Sequence, residues 1–142
     1  MITLAILNAM NADSVAGLVK DEDFFWEENP IKDGKYAEGV WLVTRSGDAS
    51  MSPKKLNLKS TVDFYVAFAN KTKTEVVLQT ILDWLIANPT ICQLSGSVDG
   101  TNYSYSFSNI RIKPTTTPEN AGVTENDLIV KLASAQLVYD ED

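Results

Sequence analysis

Apolar and polar residues alternate most clearly in the segment STVDFYVAFA, which begins at Ser60. Four large apolar side chains, Val62, Phe64, Val66 and Phe68, occupy every second position. A period of two that is rich in β-branched and aromatic residues is typical of a strand with one buried face. The sequence therefore predicts a core strand in this segment.

The pattern changes to a helical period directly after this strand. In TEVVLQTILDWLIAN, two adjacent rows of apolar residues recur at i, i+4 spacing, and polar residues line the opposite side. This pattern predicts an amphipathic helix over about residues 74–88. Thr72 and Glu75 form a capping box at its start, and Asn88 and Pro89 end it. Folded against the strand, the helix supplies the largest block of core.

Weaker patterns precede this unit. Residues 2–19 place apolar side chains at spacings that suit an amphipathic helix, with a break between residues 11 and 14. The segment KDGK, at residues 32–35, predicts a turn. Residues 37–45 predict a strand whose two faces are both partly covered.

Beyond the helix, the pattern predicts further strands. Residues 91–98 suit a strand, and the Asp-Gly pair at 99–100 signals a hairpin turn. In the next strand, the apolar residues change from odd to even positions near Ser108 and Asn109, which predicts a bulge there. The last strand, which begins near Leu128, exceeds the common length of about six residues. We expect it to span or overhang the sheet and to offer its backbone to a neighbour.

Together these elements predict an α+β fold. A mainly antiparallel sheet packs against the helix near 74–88 and against an N-terminal helix. The 142 residues fit a single domain. Long loops are expected near 46–57 and 113–126.

Phe24, Phe25 and Trp26 form an aromatic triplet between acidic residues. One interpretation is a short strand with at least one face in the core, in which Phe24 and Trp26 share a face. The alternative is an aromatic anchor for a partner subunit, because aromatic side chains flanked by charge resemble the centre and rim of an interface. The triplet supplies three candidate interface residues.

The loop near 46–57 supplies further candidate contacts. It contains Met51, Lys54 and Lys55, and Lys59 follows closely. A lysine cluster of this size suits either a solvated strand edge or an ion-binding site.

The segment 113–126 has almost no large apolar residue. It is either a wide surface hairpin or an arm that reaches a neighbouring subunit. Its candidate contacts are Thr116, Pro118, Glu119, Asn120 and Val123. Leu137 and Tyr139 in the last strand complete the set of candidate interface residues.

Composition removes several classes of chemistry. The chain has no histidine and one cysteine, Cys92, which excludes an internal disulfide and histidine-based zinc sites or catalytic triads. It contains no phosphate loop, dinucleotide fingerprint, nucleophile elbow or calcium loop. We therefore expect no enzyme activity, no cofactor and no metal.

Charge and hydropathy limit the partners. Nineteen acidic and twelve basic residues give a net charge of -7, which disfavours a protein that binds nucleic acid by neutralising phosphates. The short apolar run at the start follows no basic region, so we expect neither a signal peptide nor a membrane span.

The order of predicted elements, with the segments KSTVDFYVAFANKTKTEVVLQTILDWL and IRIKPTTTPENAGVTENDLIVKLASAQLVY, resembles the tail terminator proteins of long-tailed bacteriophages. This family is also described as tail completion, head-to-tail joining, minor capsid or minor tail proteins. The resemblance covers most of the chain after about Phe24 and rests on pattern, since the family has no catalytic motif.

The resemblance implies a structural protein of the virion tail and neck, assembled in the cytoplasm of a host bacterium. Copies of the chain would form a ring, most simply a hexamer, between the tail tube protein and the head-completion or connector protein. DNA would pass through the opening without specific binding, and an acidic channel suits this role because it repels phosphates.

Two alternatives remain open at this point. Within the same particle, the chain could be the tail tube protein or another neck component. From a different class, it could be a small acidic adaptor, or an enzyme that uses carboxylates such as Asp63 and Asp83.

Overall fold

A computed structural model describes residues 1–18, 22–47, 55–87 and 91–141 of the chain. Two helices pack on a largely antiparallel sheet, so the predicted α+β class is confirmed. The helices are α1 (Ile2–Ala12) and α2 (Lys71–Ala87), with a short 3-10 helix at Val15–Gly17. The strands are β1 (Phe24–Trp26), β2 (Ile31–Lys32), β3 (Lys35–Tyr36), β4 (Gly39–Gly47), β5 (Lys55–Phe68), β6 (Ile91–Val98), β7 (Thr101–Pro114), β8 (Glu119–Val123) and β9 (Ile129–Glu141).

The described strands form one large sheet in the order β1, β4, β5, β9, β7, β6, with β8 also paired to β9. β1 is parallel to β4, and the other neighbours are antiparallel. Strands β2 and β3 form a separate small hairpin. Helix α1 contacts β1 and β4 at one end of this order and β6 at the other. The sheet therefore curls around α1.

The core lies between the inner face of this sheet and the two helices. As predicted, Val62, Phe64 and Val66 are fully buried, and Phe68 is 2% exposed. They pack in one cluster with the apolar rows of α2 and with the buried side of α1. Each such side chain contributes roughly 1.5 to 3 kcal/mol on burial, so the strand and helix unit supplies a large part of the core, together with α1 and the neighbouring strands.

Helix α2 begins at Lys71, earlier than the predicted residue 74. The predicted cap at Thr72 is wrong, because the side-chain Oδ1 of Asn70 accepts the N–H of Lys73 at 3.1 Å and so caps the helix. Buried Thr74 lies inside the first turn, and its hydroxyl is 3.3 Å from the backbone oxygen of Ile129. The start of α2 is thereby tied to β9.

Several local predictions are confirmed. Helix α1 ends at Ala12, and Ser14 has a positive φ of 47°, which accounts for the break. The Asp-Gly pairs at 33–34 and 99–100 both form turns between paired strands. Asn109 has a φ of 51° where the pairing of β7 with β9 shifts register, so the predicted bulge is present.

The outer face of the sheet carries a second, smaller cluster. Trp41 and Tyr65 stack there with ring centroids 5.1 Å apart. The β2–β3 hairpin joins this cluster through Tyr36. The side chain of Asn126 accepts the N–H of Tyr36 at 3.2 Å and donates to its carbonyl oxygen at 3.0 Å. Both faces of the sheet centre are therefore covered.

The loop expected at 46–57 is shorter than predicted. Strand β4 continues to Gly47, which pairs with Ser60, and β5 begins at Lys55, which pairs with Glu141. Turn-forming residues interrupt the apolar and polar alternation in residues 46–57, so the sequence pattern does not show where these two strands end and begin. Met51 and Lys54 lie outside the described residues, as does the predicted helix end at residues 88–89.

The expectation that the last strand offers its backbone to a neighbour is wrong. β9 lies inside the sheet, with β5 along one edge and β7 and β8 along the other. Leu137 is fully buried, and Tyr139 is 7% exposed with its hydroxyl 3.1 Å from the buried Ser60 hydroxyl. As core residues of the protomer, these two side chains are not available to a partner.

Candidate functional site

The outermost strand, β6, is an edge without the usual protection. Its sequence, ICQLSGSV, contains no charged residue and no proline over eight residues. Only Cys92 and Leu94 are buried among its described side chains, and Val98 is 60% exposed. An edge strand presents unpaired backbone N–H and C=O groups, and natural proteins usually guard such edges with charge, proline, shortness or a covering helix or loop. β6 is contacted by α1 but has neither charge nor proline along its length, which makes it a candidate for pairing with another strand.

The opposite edge is guarded. Strand β1 has three residues and lies between acidic residues. Just beyond β1, Glu27 turns the chain with a φ of 69°, and its carboxylate oxygens lie 3.4 Å from the N–H of Thr44 on β4. This side chain occupies the place that an incoming strand would take on β4.

Strand β8 is a second exposed strand. All five of its residues are exposed, and Val123 is 65% exposed. It pairs with β9 on one side, with a register shift between Asn120 and Gly122. The segment 113–126 is thus the wide surface hairpin of the two interpretations, because the end of β7 and β8 both pair with β9. The long loop expected there is partly strand.

The four other candidate residues of that segment lie around β8. Glu119 and Asn120 are exposed at its start, and Pro118 is half-buried just before it. The hydroxyl of Thr116 accepts the N–H of Ser134 at 2.9 Å, so this residue fixes the connection between β7 and β8. Whether these residues contact a partner stays a prediction.

The β6–β7 hairpin extends past the end of the pairing between β7 and β9. That pairing ends at Phe107 opposite Glu141, so residues 101–106 pair only with β6 in the described structure. Tyr103 lies across Gly96, where an added Cβ would be 2.5 Å from the Tyr103 hydroxyl. The Tyr103 side chain therefore covers the backbone of β6 at Gly96.

The base of this hairpin is fastened by Asp140 on β9. Its carboxylate accepts the N–H of Asn57 at 2.8 Å and the side-chain amide of Asn109 at 2.7 Å. Both asparagines have positive φ, at 52° and 51°, and each stands where a neighbouring strand shifts register on β9. Arg111 donates to the Asn57 side chain at 2.7 Å. The hydrogen bond from the Asn109 side chain lowers the pKa of Asp140 most, and the hydrogen bond from the Asn57 N–H lowers it further.

We expect this carboxylate to stabilise the fold at neutral pH and to lose that effect in acid. Because the folded-state pKa is lowered from 3.8, the contribution is complete above that value and disappears as the pH falls below it. Asp140→Asn should therefore lower the urea midpoint at neutral pH and converge with the parent protein in strong acid. In an Asn109→Gly background, which keeps the positive φ, Asp140→Asn should lower the urea midpoint by less. An equal decrease in both backgrounds would show that the Asn109 hydrogen bond does not stabilise the Asp140 carboxylate.

The aromatic triplet forms β1, as one of the two interpretations predicted. Phe24 is 3% exposed in the main core, and Phe25 packs on the outer-face cluster. Trp26 shares the face of Phe24 but is 43% exposed at the edge. The three side chains line a shallow cleft with Glu28 and Pro30.

The remaining predicted contacts and ionisable groups are dispersed. Lys55 pairs with Glu141 at 3.6 Å. Asp63 lies on the outer face, where it accepts the Ser134 hydroxyl at 2.5 Å, whereas Asp83 lies on the exposed side of α2. The structure does not bring these two carboxylates together. Burial raises the pKa of Cys92 to about 11, so its thiol stays protonated.

Sequence reasoning missed β6 as a candidate surface. The signal was available, because eight consecutive residues without charge or proline mark an unguarded strand. What the sequence lacked was the order of strands, which decides whether such a strand is central or at an edge.

Comparison with protein-family models and with curated proteins gives no match. Within the described residues, no three or more histidine, cysteine, aspartate or glutamate side chains are grouped as they would be around a metal ion. In the same part of the chain, neither helix has the length and apolar character needed to cross a membrane.

Proposed function

We propose that this protein is a structural component of a long-tailed bacteriophage, in which copies of the chain form a ring, most simply a hexamer. The ring would cap the tail tube and join it to the head connector. The observation that carries the self-association is the unguarded, uncharged edge strand β6. The assignment to a phage tail rests on the resemblance of the two long segments.

A ring needs two different surfaces on each copy. Contacts between unlike surfaces run head to tail and can close, whereas a surface that pairs with itself stops at a dimer. β6 and β8 are two exposed strands of different sequence, and each carries one highly exposed valine, Val98 and Val123. In the proposal, β6 of one copy pairs with β8 of the next.

The charge of the chain fits a channel for DNA. A net charge of -7 makes the surface repel phosphates, so DNA would slide through the opening without being held. This net negative charge would not prevent β6 from pairing with β8, because β6 has no charged residue and β8 has one carboxylate, Glu119.

The test is the mass of the assembled protein. Native mass spectrometry of the protein, alone and with isolated tail tubes, should give a closed multiple of the 15.6 kDa chain, with six copies expected. Electron microscopy should show rings that stop at one layer. Open-ended stacks would instead identify a tail tube protein, and monomers under both conditions would reject the proposal.

A further inference from the structure

The cleft beside Trp26 has features that the proposed ring does not use. It has a volume of about 250 Å³ and is lined by Phe24, Phe25, Trp26, Glu28 and Pro30. Sites that bind a partner side chain commonly join aromatic surface to a few polar groups that fix orientation. This cleft combines both, since aromatic rings lie beside one carboxylate.

The ring of Trp26 is held in place. Its Nε1 donates to the hydroxyl oxygen of Thr3 at 3.0 Å, and Thr3 is fully buried. The same oxygen accepts the hydroxyl of Thr44 at 3.3 Å. With its polar atom satisfied inside the protein, the indole still leaves 43% of the residue exposed. A partner would therefore meet a preorganised aromatic surface.

Negative charge surrounds this surface. Residues 22–28 contain two acidic pairs that flank the aromatic triplet. Glu27 faces the N–H of Thr44, but Glu28 lines the cleft and forms no ion pair within the described part of the chain. The nearby cation Lys32 lies over the Phe25 ring at 5.1 Å and leaves Trp26 available.

We infer that this cleft binds a cationic side chain, arginine above all, carried by a segment of a partner protein. The guanidinium group stacks on Trp26 and pairs with Glu28. Negative charge around the cleft favours such a segment over an acidic or neutral one. This inference does not rest on the ring, because none of the residues that line the cleft lies on β6 or β8.

The test uses the full chain and short synthetic peptides. The indole N–H signals of Trp26, Trp41 and Trp84 report separately in ¹H–¹⁵N spectra, and Trp26→Phe assigns the first. A triarginine peptide should shift the Trp26 signal. Trp84, whose Nε1 donates to Asp13 at 2.9 Å, should not respond. A tricitrulline peptide, which has a similar shape but no charge, and a trileucine peptide should both bind more weakly.

Variants separate the cleft from the general charge of the protein. Glu28→Gln should weaken triarginine binding by about threefold, as expected for one exposed ion pair. Asp83→Asn on the exposed side of α2 removes the same charge elsewhere and should have a smaller effect. Equal effects of the two variants, or equal binding of the tricitrulline or trileucine peptide, would overturn the inference.

Discussion

Replacing Gly39 by alanine should destabilise the protein by about 3 kcal/mol and detach β1 from the sheet. Gly39 has a φ of 149°, and an added Cβ would lie 2.3 Å from the carbonyl oxygen of Asp23 and 2.9 Å from the Phe25 ring. Backbone cannot yield as a flexible side chain can, so the strands must separate. The N–H of Val40, which donates to that carbonyl at 2.6 Å, would then lose its partner.

The matched control is Gly34→Ala. Gly34 also has a positive φ, at 75°, but no atom lies near its added Cβ. This variant measures the cost of the left-handed backbone alone, about 1 kcal/mol. Urea unfolding of both variants gives the comparison, and the Trp26 indole signal of Gly39→Ala should move toward that of a free indole. Equal losses of stability in the two variants would show that the close contact between Gly39 and the Asp23 carbonyl oxygen does not determine stability.

Local features of the fold could be predicted because they depend on neighbouring residues. The alternation around Phe64 fixes a buried face, and the Asp-Gly pair at 99–100 fixes a turn by its backbone preference. The change of parity around Asn109 predicted a bulge, since only an extra residue returns Ile110 to the face of Phe107. Both side chains are buried in the same cluster.

The order of strands could not be predicted in this way. Sixty residues separate β5 from β9, and no local pattern marks the pairing of these two strands. The alternation around Leu137 and Tyr139 suits a central strand as well as an edge strand, so the sequence does not distinguish core residues from contacts at these positions. For the same reason, the sequence does not show that β6 is an edge strand, or that β1 pairs with β4 and places its aromatic residues around a cleft.

Lysines placed on the β6 edge should abolish self-association while the fold persists. Ser95 and Ser97 are exposed on the side of the strand opposite Cys92 and Leu94. Surface changes of this kind usually alter stability by no more than about 0.5 kcal/mol. In the proposed ring, however, β6 pairs with another copy, so Ser95→Lys with Ser97→Lys adds charges that would have to be desolvated in the interface. We expect the association constant to fall by at least about tenfold.

The control carries the same added charge on a surface outside the proposed interface. Thr72→Lys with Gln79→Lys places two lysines on exposed positions of α2 and should leave the mass of the assembly unchanged. Mass photometry or sedimentation of both double variants, with circular dichroism to verify the fold, makes the comparison. Equal loss in both would mean that net charge, and not the edge, controls assembly.

Mixing two defective variants tests which surfaces meet. Asn120→Lys with Val123→Lys blocks β8, as the first double variant blocks β6. If β6 of one copy pairs with β8 of the next, each variant alone stays monomeric, because neither retains both surfaces. Their mixture should form heterodimers and go no further, since each retains one competent strand. Dimers of the β8 variant alone would instead show that β6 pairs with itself, and a closed ring by this contact would then be impossible.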